Sequence, residues 1–159
     1  MGGGILPVAI HKGKLYFLFS REWSKSKDDG GMWSDFGGSK EGSESFKETA
    51  IREGYEESGG FIGSKKKIKN LVENSTLAEI TLNGYRCYLV LIEYDDTLPK
   101  RYRNKFNSVM ESKPWLVKKH NGLYEKDMLR WYSYEDIKSK YRKFRPWYKS
   151  IVKEILKIM

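Results

Sequence analysis

Glu53, Glu56 and Glu57 stand at i, i+3 and i+4, so on an α-helix their side chains share one face. Left to themselves they are poor neighbours. Like charges at these spacings each cost a few tenths of a kcal/mol, and Gly59 and Gly60 put them in a last turn, where the helix dipole disfavours negative charge. A divalent cation removes the conflict. Carboxylate oxygens are hard ligands that select Mg²⁺ or Mn²⁺, and Mg²⁺ is commonly shared between a few carboxylates and substrate phosphates. Taken alone, Glu44, Glu48, Glu53, Glu56 and Glu57 with Lys47 and Arg52 also fit an ordinary solvated helix face, so the wider pattern has to decide.

That pattern runs from Gly38 through Glu44 to Arg52-Glu53-Gly54-Tyr55-Glu56-Glu57-Ser58-Gly59-Gly60. It resembles the Nudix box, GX5EX7REUXEEXGU with U an apolar residue. Gly38, Glu44, Arg52, Glu53, Glu56, Glu57 and Gly59 all match its fixed positions, which is improbable for a chance motif. Both U positions are glycine, Gly54 and Gly60. A glycine inside the helix costs about 1 kcal/mol relative to alanine, and Phe61 stands ready to supply the apolar contact that Gly60 lacks.

The resemblance implies an α/β/α sandwich with a mixed sheet and a loop-helix-loop catalytic motif. It further implies that Glu53, Glu56 and Glu57 bind Mg²⁺ or Mn²⁺, that Gly38 contributes backbone to the metal site, and that Arg52 orients a glutamate. Glu44 supports the helix or the metals. Such sites are often completed by a carboxylate shortly before a late Trp; Glu125, six residues before Trp131, is the choice, with Glu93 and Glu111 as substitutes. The implied reaction is hydrolysis of a nucleoside diphosphate-X substrate by metal-activated water, with Glu53 or Glu125 as base.

Several elements must position these groups. Ile5 to Ile10 and Lys14 to Phe19 read as a hairpin around His11, Lys12 and Gly13, after a flexible Gly2 to Gly4. The polar Arg21 to Gly31 reads as an exposed loop bordering the site, and Met32 to Phe36 as a strand delivering the chain to Gly37 and Gly38. Ser43 precedes the carboxylate helix, which ends near Ser58. Leu77 to Leu82 and Tyr85 to Tyr94 flank Asn83-Gly84, a tight-hairpin signature. Pro99 to Met110 reads as a basic helix and Leu129 to Ser133 as a strand. Two helices follow, Tyr134 to Tyr141 and Pro146 to Ile158, the last with Ile151, Ile155 and Ile158 on its apolar face. This order suggests one domain, residues 1–159, of the α+β or α/β layered class.

Composition bounds the rest. The single cysteine, Cys87, forms no internal disulfide and reads as a packed thiol; with no secretory leader pattern this suggests a cytoplasmic setting. No apolar run reaches the roughly 20 residues that span a bilayer, so no membrane is expected, nor an obligate protein partner. His11 and His120 lack metal-ligand spacing and read as surface histidines.

The net charge of +9 is lopsided. Residues 1–98 hold 13 Lys and Arg against 15 Asp and Glu, whereas residues 99–159 hold 17 against 6. The basic part interleaves Lys100, Arg101, Arg103, Lys118, Lys119, Arg142, Lys143 and Arg145 with Tyr102, Trp115, Tyr124, Trp131, Tyr132, Phe144 and Trp147. Cations neutralise phosphates and aromatics stack on bases, which fits the 5′ cap of RNA, as in the mRNA-decapping branch. Most of those aromatics, Trp131 and Trp147 especially, also fit a packed core. ADP-ribose, dinucleoside polyphosphates and nucleoside triphosphates are the alternative substrates. A catalytically silent RNA- or partner-binding module is the alternative of another class, which the intact box glutamates argue against.

Overall fold

The computed structural model of the chain describes residues 1–118 and 124–158. Its centre is β1 (Gly2–His11), buried along all but its last two residues. One edge of β1 pairs in parallel with β6 (Tyr85–Leu91). The other edge is shared, with β4 (Phe36–Ser39) along Gly2–Ile5 and β2 (Lys14–Glu22) along Val8–His11, both antiparallel. Beyond Phe17, β2 leaves β1 and pairs with β7 (Lys126–Tyr132), and at Ser20–Arg21 also with β3 (Trp33–Ser34). The hairpin of β5 (Thr76–Leu82) and β6 turns at Asn83 and Gly84, whose φ values of 51° and 75° are those a two-residue I′ turn demands.

Strand alternation sends Leu6, Val8, Phe17, Phe19, Cys87 and Leu89 to one face and Ile5, Leu18, Tyr88 and Val90 to the other. The first face is covered by α5 (Tyr134–Ser139) and α6 (Lys149–Ile158), which bury Ile137, Ile151, Val152 and Ile155. The second is covered by α1 (Phe46–Ser58), α2 (Lys65–Asn74) and α3 (Leu98–Ser112), through Ala50, Ile51, Ile68, Val72, Leu98 and Tyr102. The result is the expected helix-sheet-helix sandwich on a mixed sheet. A short α4 (Pro114–Lys118) follows α3.

Several boundaries differ from the sequence reading. Gly2 to Gly4 are not a flexible start but buried strand, because a Cβ at Gly3 would stand 2.7 Å from the Phe46 carbonyl oxygen of α1. The sequence reading missed α2: its four lysines mask a stripe of Ile68, Leu71 and Val72 behind the Ser64 cap. Strand β6 ends at Leu91, not Tyr94, and β7 begins at Lys126, three residues before Leu129. The last helix starts at Lys149 after a 3-10 turn at Pro146–Tyr148, and Ile158 is exposed while Val152 takes its place in the core.

Candidate active site

Helix α1 opens at Ser45, not Ser43. The Ser45 hydroxyl accepts from the Glu48 N–H at 3.1 Å and the Glu48 carboxylate accepts from the Ser45 N–H at 3.0 Å, a reciprocal cap. It closes at Gly59 and Gly60, at φ 60° and 78°, a left-handed turn that side chains resist. Gly54 is explained by packing: a Cβ there would meet the Ile5 side chain at 2.9 Å, so its absence lets α1 lie close on β1.

This close seating fixes the carboxylates. Glu57, 2% exposed, accepts from the Gly37 N–H at 3.0 Å. The Glu53 carboxylate lies against Gly38, where a Cβ would approach its Cδ to 2.6 Å. Arg52 is the hub behind them. It donates to Glu44 through Nε at 2.9 Å, to Glu53 at 2.8 Å, to Glu56 at 3.4 Å and to the Ser39 carbonyl at 3.0 Å. These hydrogen bonds from Arg52 hold the Glu44 carboxyl down at about 2.

Gly38, Glu53, Glu57 and Glu125 line one cleft of about 320 Å³, together with Glu22 and Arg145. Trp23, Ser26 and Asp28 from the Arg21 to Gly31 segment form its rim, as expected of a loop bordering the site. Glu56 instead lines a neighbouring hollow with Tyr55, Phe61 and Tyr102. The three helix glutamates therefore do not all point to one place. Glu93 lines a distant groove with His11 and Tyr94, and Glu111 is exposed on α3.

Of three fixed partners of the site, Lys126 was not picked out from sequence, and Arg145 and Tyr102 were named only within the basic, aromatic stretch. Lys126, with no exposure, carries its ammonium to Glu22 at 2.6 Å, to the Ser34 hydroxyl at 3.1 Å and to within 3.8 Å of Glu57. Burial works against that charge, yet Glu57 and Glu22 outweigh it and raise the Lys126 pKa. Arg145 reaches the same Glu22 at 3.0 Å and Asp29 at 3.1 Å. The buried Tyr102 hydroxyl, within 3.2 Å of the Glu57 carbonyl and 3.1 Å of the Lys126 carbonyl, ties α3 to both α1 and β7. The signal for Lys126 was its place next to Glu125 in the sequence, and it is the early start of β7 that turns it inward.

The placement of α1 against this mixed sheet can be compared with solved structures. The chain superimposes on a Nudix hydrolase from M. smegmatis, RenU, with a TM-score of 0.56 at 14% identity, over 99% of this chain and 84% of that one. An Ap4A hydrolase of C. elegans in a binary complex gives 0.55 at 16% identity, over 98% and 95%. The fold is that of Nudix hydrolases. A bifunctional NMN adenylyltransferase/ADP ribose pyrophosphatase from Francisella tularensis, complexed with AMP and a manganese ion, superimposes at 0.51 and 14% identity, over 94% of this chain and 39% of that one. No family model and no curated protein matches the chain.

Within this Nudix fold the carboxylate oxygens of the cleft are of the hard kind that divalent ions take. Burial pushes the Glu53 and Glu57 carboxyls above their ordinary range, Glu57 strongly, and Glu125 adds to both. Arg52 beside Glu53 and Lys126 beside Glu57 offset that burial only in part. As the side chains stand, no three carboxylate, imidazole or thiol groups among the described residues are gathered tightly enough to hold an ion. Glu53 and Glu56 are turned to Arg52, and Glu57 to Gly37.

The remaining residues of the sequence reading fall outside the cleft. Cys87 is buried, its Sγ 3.6 Å from the Tyr148 hydroxyl, as a packed thiol should be. His11 stacks on Tyr94 at 4.2 Å. Trp131 donates to the Asp95 carbonyl and is packed, but Trp147 is 40% exposed, against the expectation of a core residue. Lys119 and His120 lie outside the described residues. No helix among those described is long and apolar enough to cross a membrane.

Proposed function

We infer that the chain, taken as one catalytic domain, is a Mg²⁺- or Mn²⁺-dependent hydrolase of the diphosphate linkage in nucleoside diphosphate-X substrates. The observation that carries this reading is the gathering of Gly38, Glu53, Glu57 and Glu125 on one cleft, where burial holds the Glu53 and Glu57 carboxyls above their ordinary pKa range. Such groups gain a cation readily and share it with phosphate oxygens. When bound, the ion supplies charge neutralisation for the diphosphate and makes water more acidic.

The chain's own groups do the rest. Glu53, Glu57 and Glu125, joined by Glu56 on release from Arg52, hold the ion, and Gly38 adds backbone oxygen. Arg52 fixes the direction from which Glu53 and Glu56 approach. Glu53 or Glu125 accepts the proton of the attacking water; the raised pKa of Glu53 suits that task.

Substrate size divides into two readings. Small nucleotides are favoured because the cations nearest the cleft are already committed: Arg145 to Glu22 and Asp29, and Arg21 and Arg103 to Asp127. The 5′ cap of RNA is favoured by the excess of 17 basic over 6 acidic residues beyond Leu98. The deciding experiment is Mg²⁺- and Mn²⁺-dependent hydrolysis of capped RNA, free cap dinucleotide, ADP-ribose, diadenosine polyphosphates and nucleoside triphosphates, with Glu57→Gln alongside. Turnover of small nucleotides lost in the variant is the expected result. Turnover of capped RNA but not free cap would establish decapping, and turnover of nothing would leave a binding module.

A further inference from the structure

The carboxylate cleft does not end at Arg145. Gly37, Gly38, Ser39 and Arg145 are also the wall of a second groove of about 340 Å³, bounded by the Asn83-Gly84 turn and by Trp147. Both volumes fall at the small end of the range that small-molecule sites occupy. The two hollows are therefore one trough with Arg145 at its waist.

The far end of that trough has the features of a platform for a flat ring. Trp147 keeps 40% of its surface exposed, yet it is braced: Tyr85 meets it edge-on at 5.0 Å, Tyr148 at 5.4 Å, and the Arg145 guanidinium lies 5.4 Å from its ring centre. Tyr85 is itself anchored by donating to Asp35 at 2.7 Å. The Arg145 guanidinium thus covers one face of the indole, and the exposed remainder offers stacking area at little cost in conformational entropy. The groove is also lined by Gly2, Gly37, Gly38 and Gly84, which present backbone alone, beside the side chains of Met1, Ser39 and Asn83. The hollow on the other flank of α1, lined by Tyr55 and Phe61, shares none of these wall residues with the carboxylate cleft.

Resting on the hydrolase reading, the geometry points to Trp147 as the stacking platform for the nucleobase of the substrate, with the diphosphate running past Arg145 to the carboxylates. Arg145 is a positioning residue, because Glu22 and Asp29 hold its guanidinium at the junction. The ligand class is a nucleoside 5′-phosphate, and the groove accepts its base end.

The test uses the full chain with Mg²⁺ and separates binding from turnover. AMP is titrated onto the wild type, Trp147→Ala, Trp147→Phe and the exposed Trp115→Phe, by calorimetry, with ribose 5-phosphate as the baseless probe. Trp147→Ala is expected to weaken AMP about tenfold or more, the loss of one base-aromatic stack, while Trp147→Phe keeps most of the affinity. Ribose 5-phosphate should not distinguish the variants. For whichever small nucleotide is hydrolysed, KM should rise in Trp147→Ala with kcat within about twofold. AMP affinity unchanged in Trp147→Ala, or no AMP binding to the wild type at millimolar concentration, overturns the subsite. Trp147-dependent AMP binding without any turnover supports it while the hydrolase reading fails.

Discussion

Lys126 holds a full positive charge at zero exposure, and Glu22 and Glu57 are what keep it there. Removing one partner of such a group strands the other, at about 3–5 kcal/mol. Lys126→Met is therefore expected to lose about that much in urea unfolding, and adding Glu22→Gln should restore part of it. A loss below about 1 kcal/mol would mean that the carboxylates carry no charge there. Asp35 makes a different claim. Burial raises its carboxyl from 3.8 to about 6, against the Tyr85 hydrogen bond that lowers it. The unfolded chain loses this proton near 3.8 and the folded chain only near 6, so stability falls as pH rises between them and stays lower by about 3 kcal/mol above. Asp35→Asn keeps an acceptor for Tyr85 without the charge. It should stabilise the protein at pH 7 and do so much less below pH 4; an equal effect at both would refute this account.

At the scale of elements, α1 is seated by what its residues lack. Intrinsic helix propensity says that Gly54→Ala should stabilise by about 1 kcal/mol. The new Cβ, however, would stand 2.9 Å from Ile5 Cδ1 and Cγ1, inside a core with no exposure at Ile5. Overpacking of this kind typically costs about 1–3 kcal/mol. The substitution is expected to lower Tm, and less so in an Ile5→Val background, which removes one of the two clashing atoms. A rise in Tm would show that α1 can move off β1 without harm. The same seating presses Gly38 against Glu53, so movement of the helix is movement of the carboxylates.

For the whole molecule, the site is a store of like charge that a divalent ion would relieve. Any ligand that binds only the folded state stabilises it, by about 2.7 kcal/mol at 100 times its Kd. Mg²⁺ or Mn²⁺ should raise Tm in proportion to the logarithm of its concentration, whereas Ca²⁺-free sodium chloride at matched ionic strength should not. Glu53→Gln and Glu57→Gln should each flatten that dependence. If both variants respond as the wild type does, the ion sits elsewhere.

The carboxylate pattern was legible because it is local: Glu53, Glu56 and Glu57 are fixed relative to one another by helix geometry, and Gly38, Glu44 and Arg52 by their spacing to it. The layered α+β class was legible too, since strand and helix periods are written in short stretches such as Ile5 to Ile10 and the Asn83-Gly84 turn, whereas the sandwich itself came from the resemblance. The pairing of Lys126 and Arg145 with Glu22 was not legible, because the bonds joining them bridge more than a hundred residues and leave no periodic trace. Gly54 read as a flaw in the helix until Ile5 was seen beneath it. Trp147 read as core until the trough beside it was formed by β4, the hairpin turn and the start of β1. Sequence thus set the donor atoms and their spacing along one helix. Tertiary packing decided which of them face a common cleft, because only the folded sheet brings distant charges within the few ångströms over which burial and Coulomb forces act.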